Sequence, residues 1–331
     1  MILLLIVKHD YTNPYFNHAA EDYLMENFDE ECFILWRNTK SILVGKNQNT
    51  LSEVNIDYVK EKDIKVVRRM SGGGAVFCDP GNLCFTFISN IDEGKFADFK
   101  SFTTPIVSAL KSLNIKNVEF SGRNDITINE KKVSGNAQYR HKSRILHHGT
   151  LLYSADLSEL IGGLNVRPVK FKDKAVKSVA SRVTNIIEHM DNKLSVDEFK
   201  EYINNYVSEN VSGSKIYEFN EHDLKEIQKI IDNKYSTWEW NFGNSPKYDF
   251  HNEDKFKSGV VEVYLNVEKG LIKDIKFFGD FFGKKDIKDF EKYFINKKHD
   301  KEEIRKMLET IDATSYINNI ETDEIISLLF N

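Results

Sequence analysis

Strand-like and helix-like patterns of apolar residues are mixed along the first two thirds of the chain. Short apolar runs typical of β-strands occupy residues 2–7, 32–36, 41–44, 64–67 and 83–88. Apolar residues recur at helical spacing in 16–24, after Asn13-Pro14, and predict an amphipathic helix there. The same spacing predicts helices near 106–113 and 196–206, the latter with Ser195 as its N-cap. The order of elements is not a repeating βα pattern, so we expect an α+β protein.

One pair of these strands is close enough to form a hairpin. Residues 32–36 and 41–44 flank the turn-like sequence Asn38-Thr39-Lys40. We therefore expect the two strands to pair directly with each other.

The pattern changes near residue 240. Periodicity is lost from about 240 to 257, where Gly243, Asn244, Ser245 and Pro246 cluster. We place a domain boundary there and predict one domain at 1–243 and a smaller one at 247–331. An alternating strand then begins at Val261, and 268–270 is typical of a hairpin turn into 271–278. Helical spacing near 287–294 and 304–311 completes a small α+β domain.

Composition narrows the class of protein. The 331 residues are 40% hydrophobic and 29% charged, as in ordinary globular proteins. The net charge of −5 does not favour a nucleic-acid partner. No apolar stretch approaches the ~20 residues of a membrane-spanning helix, and the first apolar run lacks the basic flank of a secretion signal. We expect a cytoplasmic protein without a membrane partner. Its three cysteines, Cys32, Cys78 and Cys84, form no CxxC pair, so we expect reduced thiols.

A glycine-rich loop is the first candidate for chemistry. Arg68 and Arg69 precede Met70-Ser71 and three consecutive glycines, 72–74. Glycine backbone can converge its N–H groups on phosphate or carboxylate oxygens, and arginine can neutralise their charge. A plain hairpin or bulge is the alternative interpretation.

Two further polar segments are spaced to reach the same pocket. One is Gly122-Arg123-Asn124-Asp125, and the other is 131–138, which contains Lys131, Lys132 and Ser134-Gly135-Asn136. A mobile ammonium can bridge a carbonyl oxygen and a phosphate oxygen as charge develops. A solvated lysine pair at a turn is the alternative.

Two adjacent histidines and a basic segment follow. His147 and His148 should point to opposite faces of a strand, which argues against a helical zinc site. We expect at least one of them to be a structural or substrate-orienting hydrogen bonder. Residues 167–183 are rich in lysine and include Lys177. This segment is either a solvated face or a lid that closes over a phosphate.

Together these segments resemble the lipoate–protein ligase family. The matching motifs lie at 13–17, 44–49, 68–77, 122–126, 132–138, 147–152 and 178–186, and 241–246 resembles the family's junction into its accessory domain. The resemblance implies a mixed or antiparallel sheet of the biotin-ligase and class II synthetase type. It also implies ATP-dependent conversion of lipoate to lipoyl-AMP. The lipoyl group would then pass to a lysine of apo lipoyl-domain proteins, such as 2-oxoacid dehydrogenase E2 subunits and the glycine cleavage H protein.

The resemblance also implies roles for particular residues. Lys132 is expected to be catalytic, bridging the acyl carbonyl and α-phosphate oxygens. Asp125 would help hold a Mg²⁺–phosphate group or orient the incoming lysine. Lys177 would cover the adenylate. The residues expected to bind ATP and lipoyl-AMP are Arg69, Ser71, Gly72, Gly73, Gly74, Ala75, Val76, Phe77, Asn124, Asp125, Lys132, Gly135, Asn136, Ala137, His147, Gly149, Thr150 and Lys177.

Three other interpretations stay open. An ATP-independent octanoyl or lipoyl transferase would use a cysteine thiolate in the later loop, but no cysteine follows Cys84. A non-catalytic binder of lipoate or lipoyl-AMP would be favoured by loss of Lys132, which is present. A biotin ligase would be expected to carry a Gly-Arg-Gly-Arg loop, which the chain lacks. One departure from the family is Cys78 where a histidine is common, and we interpret it as a small buried hydrophobe.

Overall fold

The computed structural model describes residues 3–90, 98–156, 163, 182–211, 213–243, 250–268 and 270–330. The strands are β1 Leu4–Val7, β2 Glu31–Arg37, β3 Ser41–Val44, β4 Lys65–Arg68, β5 Val76–Cys78, β6 Asn82–Asn90, β7 Val118–Ser121, β8 Asp125–Ile128, β9 Lys131–His141, β10 Arg144–Leu152, β11 Ser214–Tyr217, β12 Phe250–Phe256, β13 Gly259–Glu268 and β14 Leu271–Gly279. The α-helices are α1 Pro14–Asn27, α2 Thr50–Glu53, α3 Ile56–Glu61, α4 Phe99–Ser112, α5 Val196–Asn210, α6 Glu221–Ile230, α7 Trp238–Asn241, α8 Ile287–Lys292, α9 Lys301–Leu308 and α10 Thr322–Phe330. Ile186–His189 and Ala313–Ser315 are 3₁₀-helical, and Ile231–Tyr235 is a π-helical turn.

A mixed eight-stranded sheet in the order β11-β1-β2-β6-β10-β9-β8-β7 organises the larger part of the chain. The pairs β11–β1 and β1–β2 are parallel, and the remaining neighbours are antiparallel. A second sheet, β4-β3-β5, lies within the same part of the chain. The predicted α+β class with a mixed or antiparallel sheet is confirmed.

Both faces of the large sheet are buried. On β1, Leu5 and Val7 pack with α1 and α6, whereas Leu4 and Ile6 pack with α4 and α5 on the opposite face. Alternating residues of β2 divide between the same two cores. Because both faces are covered, these strands are continuous apolar runs rather than alternating ones. Within the described ranges, no helix is long and apolar enough to cross a lipid bilayer.

The predicted pairing of residues 32–36 with 41–44 is wrong, although both segments are strands. β2 lies between β1 and β6 in the large sheet, so neither of its edges is free for β3. β3 instead forms the centre of the small sheet. The intervening Asn38 is buried and accepts a hydrogen bond from the Asn17 side chain of α1, so the connection is a crossover between sheets.

Several other predictions are confirmed. Ser195 caps α5 in a capping box with Glu198, whose side chain accepts from the Ser195 backbone N–H. β13 and β14 form the predicted hairpin. The sequence pattern missed β12, an edge strand whose His251 to Lys255 are polar or charged, and it missed α10 at the end of the chain.

The strands β12, β13 and β14 form a three-stranded sheet with its own core. This core includes Val261, Phe277, Phe290 and Leu329, all from beyond residue 250. The separate core supports the proposed division at 243 and 247, and residues 244–249 lie outside the described part. The two parts meet where Phe282 packs on Phe99 and Ala137.

Arg68 ties the loop 45–50 to the end of α7. Its buried guanidinium donates to the carbonyl oxygens of Gly45, Lys46, Gln48, Trp240 and Asn241 and to Thr50 Oγ1. Burial, with a smaller effect from Arg69, lowers the pKa of Arg68 to about 10, so it stays charged at neutral pH. A buried charge is tolerated here because six oxygen atoms surround it.

We predict that Arg68→Lys will lower the free energy of unfolding by at least about 2–3 kcal/mol, because an ammonium cannot reach all of these oxygens. Urea unfolding measures the change. Arg305→Lys, in a partly exposed ion pair with Asp323, is the control and should cost less than about 0.5 kcal/mol. Equal effects of the two substitutions would contradict the structural role of Arg68.

Candidate active site

A cavity lies against the large sheet on the side of α1. Its walls come from α1, strands β2, β6, β8, β9 and β10, the loop before β5, and the segment after β14. The residues that line it are His18, Trp36, Leu43, Arg69, Gly73, Gly74, Ala75, Val76, Cys84, Arg123, Asn124, Asp125, Lys132, Gly135, Asn136, Ala137, His148, Gly149, Thr150 and Asp280.

Arg69 holds the glycine-rich loop in shape. Its guanidinium donates to the carbonyl oxygens of Leu43, Gly72 and Gly74, at 2.8 to 2.9 Å, and its Nε donates to Ser71 Oγ. Gly73 has a φ of +91°, a conformation that favours glycine. From the sequence, Arg69 is expected to bind phosphate. In the structure most of its N–H groups already bind the loop, so Arg69 acts first on the backbone that would bind an anion.

A β-bulge sets the position of Lys132. Asp125 pairs with Gly135 and Ile126 with Ser134, but Thr127 then pairs with Lys132, which leaves Val133 as an extra residue. A regular ladder would set Lys132 opposite Ile128, whose side chain is in the core. The bulge instead turns Lys132 to the cavity side, where its Nζ lies 2.8 Å from Asp125 Oδ1.

Gly135 gives the lysine ammonium its space. A Cβ at Gly135 would lie only 2.9 Å from Lys132 Nζ. The side chains of Lys132 and Asp125 are 38% and 34% exposed, so the ion pair is open to a ligand in the cavity. The wall beside it is fixed because Asn124 and Asn136 exchange side-chain-to-backbone hydrogen bonds. The segment therefore places a partly exposed cation, Lys132, beside a wall that is held by hydrogen bonds.

The two histidines of β10 lie on opposite faces, as predicted. His147 accepts from Gln138 Nε2 and donates to Asn136 Oδ1, and it stacks on Phe102 away from the cavity. Burial lowers the pKa of His147 well below its usual value. His148 lines the cavity, and its Nε2 lies 2.6 Å from Ser71 Oγ. His147 therefore orients Asn136, and His148 faces the ligand space.

Glu21 is the centre of a buried network at the cavity floor. Its Oε1 accepts from His148 Nδ1 at 2.9 Å and from Thr86 Oγ1 at 2.6 Å, and its Oε2 accepts from His18 Nδ1 at 2.8 Å. Trp36 donates to Thr86 Oγ1. Burial alone would raise the pKa of Glu21, but the two histidines outweigh it and lower the pKa, so the carboxyl is ionised. For His18, burial has the opposite effect: it lowers the pKa, which favours the neutral ring.

Ligand atoms of His18, Glu21 and His148 lie within 4.8 Å of one another, as in a metal site. However, the facing nitrogens already donate to the carboxylate, so the cluster is a hydrogen-bond network. Asp125 and Asp280 are the carboxylates on the cavity wall. One or two carboxylates suit a Mg²⁺ ion that is carried mainly by phosphate oxygens, rather than an all-protein metal site.

Most of the expected binding residues meet at this cavity, with exceptions. Ser71 is buried behind the loop, Gly72 packs against the backbone of Phe281, Phe77 is in the small-sheet core, and His147 faces away. Lys177 and most of the basic segment 167–183 lie outside the described residues.

Several residues that line the cavity are not among those predicted from the sequence. These are His18, Trp36, Leu43, Cys84, Arg123, His148 and Asp280. Arg123 and His148 are within the motifs named above, whereas His18 lies off the apolar stripe that predicted α1, three residues before Glu21. Nothing local pointed to Asp280, which reaches the cavity from the C-terminal part.

Comparison with known proteins gives one family. The lipoyl protein ligase A/B catalytic domain matches residues 13–208, and the bacterial lipoate protein ligase C-terminus matches 245–329. Lipoate–protein ligase 1 of Staphylococcus aureus is 42% identical over 98% of this chain and 99% of its own. Lipoate-protein ligase LplJ of Bacillus subtilis is 38% identical over 99% and 100%.

Solved structures that resemble this chain include members of the same family. P. falciparum LipL1 in complex with lipoate superposes with a TM-score of 0.80 at 30% identity, covering 98% of both chains. A lipoate-protein ligase A bound with ATP has a TM-score of 0.62 at 27% identity, covering 73% of this chain and 98% of its own.

We predict that the protein loses stability as the pH falls from about 6.5 toward 4. Burial lowers the pKa of His9 to about 4 and also lowers those of His18 and His147. Groups with lowered folded pKa values take up protons on unfolding, so their contribution is complete above about pH 6.5 and declines below it. Each histidine adds a slope of up to about 1.4 kcal/mol per pH unit.

Urea unfolding at several pH values measures this slope. His147→Gln should reduce this slope by the amount that corresponds to the uptake of up to one proton. His222→Gln, at an exposed histidine, is the matched control and should leave the slope unchanged. A His147→Gln variant with the wild-type slope would show that His147 is not the neutral, buried group described above.

Proposed function

The chain belongs to the lipoate–protein ligase family, and from this premise we propose that it converts lipoate and ATP to lipoyl-AMP and then acylates lipoyl-domain proteins. The observation that carries the proposal is Lys132, turned by the bulge into a cavity between the glycine-rich loop and an apolar floor. A solved relative holds lipoate and another holds ATP, which supports both substrates for this chain.

In the first step a lipoate carboxylate oxygen attacks the α-phosphorus of ATP and pyrophosphate leaves. Negative charge grows on the α-phosphate oxygens as the two anions approach. Lys132 would move its ammonium from Asp125 to bridge the acyl carbonyl and an α-phosphate oxygen. Asp125 would hold the ammonium in place before the substrates arrive. The proposed catalytic residue is therefore Lys132.

The glycine-rich loop would hold the phosphates. Gly73, Gly74 and Ala75 line the cavity with backbone that Arg69 keeps in one shape. Such preorganised N–H groups stabilise phosphate charge without moving during the reaction. The Arg123 guanidinium stacks on the Phe282 ring at 4.8 Å and donates to Ser258, which leaves other N–H groups for a phosphate. We also propose that Mg²⁺ accompanies ATP, with Asp125 as its protein carboxylate, and supplies charge neutralisation.

The floor of the cavity would take the acyl chain. Trp36, Leu43, Ala137 and Cys84 give it an apolar lining. Trp36 is on β2 and Lys132 on β9, three strand spacings apart or about 14 Å. The carboxyl end of the acid would therefore lie at Lys132, and the tail would run toward Trp36.

In the second step the amine of the acceptor lysine attacks the acyl carbonyl carbon, forms the amide and releases AMP. Asp125 is exposed enough to orient that amine or take its proton. The proposed acceptors are apo lipoyl domains of E2 subunits and the glycine cleavage H protein. We place the reaction in the cytoplasm, where the three buried cysteines would stay as free thiols.

The burial of all three cysteines disfavours a thiol-dependent transferase. All three are buried, and burial raises the pKa of Cys32 to about 12 and that of Cys84 well above its usual value. A buried neutral thiol is a poor nucleophile. Lys132 in the cavity disfavours a binder without activity.

We predict that Lys132→Met will reduce adenylate formation about 10²–10³-fold, because it removes the cation at the developing charge. Pyrophosphate release reports the first step, and the mass of an apo lipoyl domain reports the second. Lys131→Met, at the exposed neighbouring lysine, is the matched control and should keep wild-type rates. Acyl transfer without ATP, or an unimpaired Lys132→Met, would refute the proposed mechanism.

We predict that Gly135→Ala will slow adenylate formation while changing the free energy of unfolding by less than about 1 kcal/mol. The new methyl group would displace the flexible end of Lys132 rather than backbone. Pyrophosphate release and urea unfolding test the two halves of this prediction. A wild-type rate in a folded Gly135→Ala protein would show that the position of the ammonium is not critical.

A further inference from the structure

His18 has one unsatisfied hydrogen-bonding atom at the floor of the cavity. The residue is 1% exposed and is among those that line the cavity. Its Nδ1 is 2.8 Å from Glu21 Oε2, whereas its Nε2 has no hydrogen-bond partner among the described residues. The other histidine of the floor differs, because His148 Nε2 is paired with Ser71 Oγ. His18 therefore contributes a buried, unpaired ring nitrogen to the wall of the cavity.

The charge of Glu21 fixes what kind of partner His18 needs. An ionised carboxylate only accepts hydrogen bonds, so His18 Nδ1 carries the proton that it donates to Glu21. In a neutral imidazole the other nitrogen then has a lone pair and no hydrogen. His18 Nε2 is thus an acceptor that lacks a donor.

The surroundings of His18 place this acceptor at the tail end of the acyl site. Its ring lies edge-on to Trp36, with centroids 5.3 Å apart, and 6.2 Å from the His148 ring. Trp36 is on β2, three strands away from β9, which carries Lys132, at which the carboxyl group would react. An apolar tail that filled the floor would leave Nε2 unpaired, whereas a tail that carried a hydrogen-bond donor could satisfy it and gain the free energy of that hydrogen bond.

The acids that the site could bind differ in the hydrogen-bonding groups at the end of their acyl tail. An unsubstituted eight-carbon acid ends in hydrocarbon, and the oxidised dithiolane ring offers sulfur atoms that only accept. The reduced dithiol offers S–H groups, which are weak donors. Both sulfur-containing forms have polarisable atoms that suit a floor that includes the Cys84 thiol, so the S–H donor is what distinguishes the reduced form.

We propose that His18 is a specificity-determining residue that makes the site favour the reduced dithiol form of its acid over the oxidised ring and over octanoate. The inference rests on the proposed function, because it takes the cavity floor as the acyl site. Neutral His18 Nε2 accepts from one S–H group while Nδ1 remains bound to Glu21.

Calorimetric titration of the full-length protein with three acids tests the proposal. The probes are dihydrolipoate with a phosphine reductant, oxidised lipoate without reductant, and octanoate under both conditions, all without oxygen. We expect wild-type protein to bind dihydrolipoate about tenfold more tightly than either other acid. His18→Leu should abolish that preference by weakening dihydrolipoate binding and strengthening octanoate binding.

Two further variants separate specificity from folding. Trp36→Phe alters the same floor without touching Nε2, so it should change all three affinities but keep their ratio. His18→Gln keeps a polar acceptor and should retain part of the preference, while thermal unfolding checks that each variant is folded.

Equal affinities in wild type, or the same ratio in wild type and His18→Leu, would overturn the inference. ATP–pyrophosphate exchange with each acid distinguishes this failure from failure of the proposed function. Exchange without a His18-dependent preference overturns only the inference, whereas absence of both binding and exchange overturns the proposed function as well.

Discussion

A one-residue bulge in the β8–β9 ladder decides on which side of the large sheet Lys132 lies. Val133 is the extra residue, and its side chain stays in the core with Ile126 and Ile128. Because side chains alternate along a strand, a regular ladder would direct the lysine into that core. The bulge lets one short segment supply both a core valine and a cavity lysine, with Asp125 and Gly135 arranged around the ammonium. The proposed chemistry depends on this local irregularity.

The rest of the cavity is held rigid by buried charged groups whose partners are within the protein. Arg68 and Arg69 bind mainly backbone oxygens, which fixes two loops. Glu21 accepts from two histidines and Thr86, which fixes the floor. Such groups are costly to bury, and their extensive hydrogen bonding keeps each loop in one conformation. Against this fixed frame, Lys132 is a partly exposed cation beside Asp125, and His18 Nε2 is a buried nitrogen without a partner among the described residues.

Local sequence patterns predicted five of the ten α-helices in the described part of the chain, α1, α4, α5, α8 and α9, together with the β13–β14 hairpin and the segments that meet at the cavity. They did so because apolar periodicity and glycine clusters reflect local backbone geometry. Strand partners depend on distant parts of the chain, so the β2–β3 pairing was wrong and β12 was missed. The same limit applies to the site, since His18 and Asp280 reach it only through packing. Arg69 shows a further limit. As an arginine beside three glycines it suggested a residue that binds an anion, but its hydrogen bonds are made mainly to the loop itself.

The most direct test of the central claim is a crystal structure with a non-hydrolysable lipoyl-AMP analogue. The account predicts that Lys132 Nζ lies within hydrogen-bond distance, about 3 Å, of both the acyl oxygen and the α-phosphate mimic. The glycine-rich loop should contact the same phosphate mimic, and the acyl tail should lie between Trp36 and His18. An analogue bound away from the loop, with Lys132 still paired only to Asp125, would contradict the account.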